Sequence, residues 1–208
     1  MDAAVQRSLP VVVATSNAGK LREIEAILGS REILLVSLAG GSPVRFPEEG
    51  GDYAENAVGK ARAAAVQRGC IAIADDSGLE VDALQGAPGP FSARFGGPGL
   101  DDRGRLMALL AALEGVPASE RGARFVCEAA LATPTGEVVV RRGVCLGHIL
   151  MAPEGSGGFG YDPIFCLEGR SETLADLDAD EKNRHSHRAR AFRALAPDLV
   201  ERIRALPE

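Results

Sequence analysis

Residues 9–14 form a short apolar run, Leu9-Pro10-Val11-Val12-Val13-Ala14, that enters a tight polar turn, Thr15-Ser16-Asn17-Ala18-Gly19-Lys20. Apolar residues at helical spacing follow at once: Leu21, Ile24, Ile27 and Leu28, with Gly29 as the stop. A buried strand delivered straight into a helix is a βα unit, and it commits the chain to layered α/β packing. The same unit is an anion site, because unpaired N–H groups and the helix dipole point at the turn. A Walker loop would need Gly at position 14 and Ser or Thr at 21; Ala14 and Leu21 stand there, so its metal-binding hydroxyl is missing. The turn reads as a different phosphate grip, with polar groups from Thr15, Ser16 and Asn17 and charge from Lys20. An ordinary capped helix start is the alternative.

The rest of the chain extends this order. Residues 33–36 read as a second strand, 40–51 as a Gly/Pro-rich loop, and Asp52 with Glu55 as a capping box opening a helix to about residue 68. Residues 71–74 read as a third buried strand. Residues 79–84 alternate apolar and acidic, 86–99 are rich in turn residues, and Asp101 or Asp102 caps a helix reaching Leu113. Residues 125–132 and 138–150 pattern as a hairpin around Pro134-Thr135-Gly136, and 164–166 as a last strand. Phe192, Leu195, Leu199, Ile203 and Leu206 mark the apolar stripe of a C-terminal helix. No internal repeat or long linker divides the chain. The expectation is one α/β domain over residues 1–208, with a mixed sheet because a hairpin accompanies the βα units.

Composition narrows the function. The 208 residues are 46% apolar, enough for a core. With 29 acidic against 23 basic residues, a formal charge of -6 and no basic tract, a nucleic-acid partner is not expected. A polyanionic ligand must then be small and gripped by a few placed cations. Lys20, Lys60 and Lys182 are the only lysines beside 20 arginines, so lysine stands where a planar fork would not fit. Cys70, Cys127, Cys145 and Cys166 are scattered, with no zinc spacing to His148, His185 or His187, and fit a reducing cytoplasm. No export signal or membrane-spanning run is read.

Four further segments carry candidate chemistry. Asp75-Asp76-Ser77-Gly78 follows a buried strand and reads as an acidic turn at a ligand crevice. Alternation sends its two carboxylates to opposite sides, one into the site and one in support. Such oxygens suit Mg²⁺, and Glu48 and Glu49 on a Gly-flanked loop extend the set. Asn56 and Lys60 share a helix face. The run 155–160 matches G-x-G-x-x-G formally, but a strand rather than a helix follows, so a dinucleotide site is rejected. What remains is a loop presenting Phe159, Gly160, Tyr161 and Asp162, with aromatic faces suited to a base. Lys182, His187 and Arg188 gather donors at the last helix. Donors accept a 6-keto purine and penalise adenine.

Taken in order, Ala14 to Lys20, Glu55-Asn56-Ala57 with Lys60-Ala61, Ala74 to Leu79, Ser92-Ala93-Arg94, Gly157 to Pro163 and Ser186-His187-Arg188 resemble the inosine/xanthosine triphosphate pyrophosphatase family over nearly the whole chain. The resemblance implies an elongated mixed sheet with flanking helices, two lobes around a central cleft, a homodimer, and Mg²⁺-dependent hydrolysis of ITP, dITP and XTP to monophosphate and pyrophosphate. It implies that Thr15, Ser16, Asn17, Ala18, Gly19 and Lys20 hold the triphosphate, and that Glu48 and Asp76 bind metal. Asp76 is also the implied proton acceptor, and Ser77, Phe159, Gly160, Tyr161, Asp162, Lys182, His187 and Arg188 the substrate contacts. Asp75, Asn56 and Lys60 support the site. Ala189 stands where Gly is usual after Ser-His-Arg, and Phe95 where Tyr is common. Arg94 is left between a dimer contact and the phosphate tail. The rival class is a non-catalytic purine-nucleotide sensor; a small-molecule kinase would need the absent Walker loop.

Overall fold

The computed structural model describes residues 10–29, 33–39 and 42–205. Leu9, residues 40–41 and Leu206, which the sequence assigns to the first strand, a loop and the last helix, lie outside them. Along the chain run β1 (Pro10–Val13), α1 (Ala18–Leu28), β2 (Leu34–Ser37), α2 (Tyr53–Arg68), β3 (Ala72–Val81), β4 (Pro88–Gly89), α3 (Asp102–Ala112), β5 (Gly122–Ala132), β6 (Val138–Ile149), β7 (Phe165–Leu167), α4 (Ala179–His185) and α5 (His187–Arg204). The strands form one mixed sheet in the order β2-β1-β3-β5-β6-β7, with β4 also on β3. β1 pairs in parallel with β2 and β3, and every other pairing is antiparallel. The expected mixed α/β sheet with flanking helices is therefore what the chain adopts.

Strand alternation sorts the core. Val11, Val13, Ile71 and Ile73 face one side, where Ile24 and Leu28 of α1 and Phe192, Leu195 and Leu199 of α5 pack on them. Val12, Ala14, Ala72 and Ala74 face the other side, against Ala57, Ala61, Ala64 and Ala65 of α2. The small residues on both surfaces explain the Ala-rich composition of α2: a helix lying close to a sheet leaves no room for long side chains. Farther along β3 and β5, Leu79, Val81 and Phe125 form another cluster with Leu106, Leu109 and Leu113 of the α3 region and with Tyr161, Ile164 and Phe165.

The helix starts follow their expected caps. Asn17 Oδ1 accepts the N–H of Lys20, Asp52 that of Glu55, and Asp101 that of Gly104. Ser186 both ends α4 and caps α5, accepting from Ala189 N.

One expectation is overturned. Asp75-Asp76-Ser77-Gly78 is no turn but the middle of the ten-residue β3, each residue from Ala72 to Val81 paired with one of β5 from Ala132 back to Ala123. The ladder overrides the turn propensity of Asp, Ser and Gly, because β5 satisfies the backbone throughout. Gly78 serves close approach: a Cβ there would lie 2.1 Å from the Gly89 carbonyl oxygen of β4. Among the described residues no helix is long and apolar enough to cross a membrane.

Candidate active site

A gap in the sheet sets the site. On the edge of β3 away from β5, β1 covers only Ala72 and Ile73, and β4 covers only Leu79 and Glu80. Between them the edge has no strand partner among the described residues, and there Asp75, Asp76 and Ser77 meet the start of α1. Asp75 continues the face of Ile71 and Ile73, towards α1 and α5. Asp76 continues the face of Ala72 and Ala74, towards α2.

On the first face, Asp75 is sealed into a chain of alternating charges. Its Oδ2 lies 3.0 Å from Lys20 Nζ and 3.0 Å from Arg188 Nη2, and its side chain has no exposed area. Arg188 donates from Nη2 to Ser77 Oγ at 2.8 Å and from Nη1 to Glu23. Glu23 also takes Lys182 Nζ at 2.7 Å, and Lys182 reaches Asp162 at 2.5 Å. Asp162 accepts the N–H of Phe159 at 2.7 Å. Burial alone would raise the Asp75 pKa, but Lys20, Arg188 and Lys60 overcome it and hold the carboxyl well below the usual range. Glu23 is lowered likewise, Arg188 and Lys182 outweighing its burial. Lys182 is raised, because Asp162 and Glu23 overcome the burial that opposes its charge.

The second face behaves oppositely. Asp76 Oδ2 accepts from Asn56 Nδ2 at 2.8 Å, and Lys60 Nζ is 3.4 Å from Oδ1. Burial dominates, only partly offset by Lys60 and Asn56, and the Asp76 pKa is raised. Asn56 also exchanges two hydrogen bonds with the backbone of Gly50, and Lys60 pairs with Glu49 at 2.7 Å. Loop 48–51 is thereby clipped beside Asp76, with Glu48 exposed on it. Arg94 joins the same loop through the Glu49 carbonyl at 3.1 Å, its guanidinium lying over Phe91.

The turn 15–20 spends two of its side chains on itself: Thr15 Oγ1 accepts from Asn17 N, and Asn17 Oδ1 from Lys20 N. Ser16, Asn17 and Ala18 are exposed, and Gly19 sits under Phe159, whose ring would be 2.8 Å from a Cβ at that position. A pocket of about 110 Å³ runs from Asn17, Lys20 and Ser77 to Phe159 and His187. His187 stacks on Phe125 at 4.7 Å and 10°, and its Nδ1 has no hydrogen-bond partner among the described residues. Burial, then Arg188 and Lys182, push its pKa well below the ordinary value, so it enters the pocket as a neutral imidazole with one acceptor as well as one donor. Lys182 and Arg188 both lie over the Phe159 ring. Tyr161 differs from Phe159: it is buried, with its hydroxyl on the Ser92 carbonyl at 2.9 Å, whereas the Phe159 ring is half-buried and carries the two cations.

The structure thus gathers Lys20, Ser77, Phe159, Gly160, Tyr161, Asp162, Lys182, His187 and Arg188 on one pocket, with Asp75 beneath and Asp76, Asn56 and Lys60 across the strand. Sequence reading missed Glu23, which joins Arg188 to Lys182. The signal was available: Glu23 is three residues after Lys20 and shares its helix face. His185 points elsewhere, to Glu181 and Arg170.

Residues 11–198 match the model of the Ham1 family. The dITP/XTP pyrophosphatase of Desulforamulus reducens is 45% identical over 197 residues, spanning 94% of this chain and 97% of that protein. That of Streptomyces coelicolor is 47% identical over 194 residues, spanning 92% and 97%. Among solved structures, a HAM1 protein from Coxiella burnetii superposes with a TM-score of 0.83 at 42% identity, covering 93% of this chain and 99% of the other. A nucleoside-triphosphatase, dITP/XTP pyrophosphatase, from Mycobacterium abscessus gives 0.72 at 44%, covering 91% and 100%.

Proposed function

The chain belongs to the Ham1 family, and on that premise we propose that it hydrolyses non-canonical purine nucleoside triphosphates, namely dITP, ITP and XTP, to the monophosphate and pyrophosphate. The observation that carries the reading is the split of two adjacent carboxylates: Asp75 is locked as an anion by Lys20 and Arg188, while Asp76 is held with a raised pKa. A carboxylate raised in this way is the better proton acceptor.

The α1 start and Lys20 receive the triphosphate, since the first-turn N–H groups of a helix lack intrahelical acceptors. Asp76 takes the proton of the attacking water, and Asn56 and Lys60 fix its orientation. Ser77, Lys182 and Arg188 meet the nucleotide from the other face, Phe159 stacks on the base, and donors remaining on Lys182 and Arg188 with the neutral His187 favour a 6-keto purine. Glu48 and Asp76 would hold Mg²⁺. Their oxygens suit a hard cation, and Mg²⁺ commonly needs only one or two protein carboxylates. When bound, the ion neutralises phosphate charge and acidifies water. We read the chain as one two-lobed domain acting as a homodimer in the cytoplasm, in keeping with the family resemblance.

Incubation with ITP and Mg²⁺, with separate detection of pyrophosphate and orthophosphate, tests the reading. Pyrophosphate with inosine monophosphate is expected. Orthophosphate as first product would overturn the site of attack, and no turnover of ITP, dITP or XTP would leave a nucleotide sensor.

A further inference from the structure

The glycine-rich loop that carries Phe159 is tied down at several points, including Gly157 N–H on the Ala175 carbonyl at 2.9 Å and the Tyr161 hydroxyl on the Ser92 carbonyl at 2.9 Å, and a further tie comes from the first turn of α3. Gly160 N–H donates to Asp102 Oδ2 at 3.0 Å. Asp102 is not needed as the cap of α3, because Asp101 already accepts the N–H of Gly104. Arg105, one turn on, reaches Asp102 at 3.4 Å and donates from Nε to the Ala93 carbonyl at 2.7 Å. The first turn of α3 therefore touches both walls of the pocket, residues 92–93 and residues 159–160, which lie far apart in sequence. Both Asp102 and Arg105 line that pocket. The helix behind them is firmly seated through Leu106 and Leu109, which are buried in the core. The loop cannot supply such rigidity itself: Gly155, Gly158 and Gly160 all have positive φ and carry no side chain to pack.

We propose that Asp102 is a positioning residue of the nucleotide site, acting through the Gly160 N–H to hold the Phe159 loop over the base, with Arg105 bracing it against the 92–93 wall. The assignment rests on the function proposed above. It concerns binding of the base rather than the water-activating side of β3.

Asp102→Ala, Asp102→Asn and the parent chain are compared in two measurements. In steady-state pyrophosphate release from ITP, Asp102→Ala raises KM about five-fold with kcat within about two-fold, the scale of one lost hydrogen bond. Asp102→Asn keeps an acceptor oxygen and restores KM. In amide hydrogen exchange followed by NMR, Gly160 N–H exchanges faster in Asp102→Ala than in the parent, and returns to the parent rate in Asp102→Asn. A KM unchanged in Asp102→Ala, a fall confined to kcat, or failure of Asn to restore KM overturns the proposal. If the parent chain does not hydrolyse ITP, the functional reading fails on its own, and Gly160 exchange still tests the clasp.

Discussion

The two faces of β3 treat neighbouring carboxylates in opposite ways. Asp75 meets Lys20 and Arg188 in a seam closed by helices, and is held as an anion. Asp76, one residue on, meets an amide and a more distant ammonium, and its charge is disfavoured by burial. Asp75 is countered by two cations at Oδ2, while its Oδ1 has no hydrogen-bond partner among the described residues; a buried charge that holds structure needs such counter-charges, whereas a group that exchanges protons is left under-matched. Under the proposed function the contrast separates a framework carboxylate from a reactive one, although the two are chemically identical.

Asp76→Asn is the strongest way to break the contrast. It should lower kcat by about 10²- to 10⁴-fold, the scale of a lost general base. Thermal stability should hold or rise slightly, because an acid with a raised folded pKa costs stability at neutral pH. Near-parental turnover in that variant removes Asp76 from the chemistry.

Asp75→Asn should act on the fold first. Removing one member of a buried charge chain costs about 3–5 kcal/mol, or roughly 10 °C in Tm for a chain of this length. The sign follows from the lowered pKa: the contribution is present above the ordinary Asp range and is lost as pH falls through the lower folded value. The stability gap between parent and variant should therefore persist at pH 5, and close only below the ordinary Asp range. A gap that vanishes by pH 5 contradicts the assignment.

Lys60→Ala sharpens the comparison most gently. Lys60 is the charge that most lowers the Asp76 pKa, so its loss should move the acid limb of kcat/KM to higher pH, by about one unit or less. An acid limb that moves down, or does not move, separates that limb from Asp76.

Much of this was legible in the sequence because local rules and tertiary packing agreed. Asp52 and Glu55 announced α2, the pair Asp101 and Asp102 announced α3, with Asp101 proving to be the cap, and the apolar spacing around Ile24 and Phe192 marked the faces that meet in one core. Alternation also sent Asp75 and Asp76 to opposite sides, as expected. The failures came where a distant partner decided the outcome. Residues 75–78 look like a turn until β5 pairs with them, and no local pattern in 72–81 reports that pairing. Glu23 and Asp102 act through Arg188, Lys182 and Gly160, from which their sequence separation is large. The aromatic pair in the 159–161 loop divided because Tyr161 found a buried acceptor at Ser92 while Phe159 did not need one.

The continuous ladder between β3 and β5 makes the division of labour a matter of counting. Deleting or inserting one residue between Ala72 and Asp75 shifts the frame by one, and side chains on a strand change sides with every step. Asp75 and Asp76 would each be turned to the opposite face of the sheet with both still present in the chain, so a one-residue length change would cost the site more than many substitutions do.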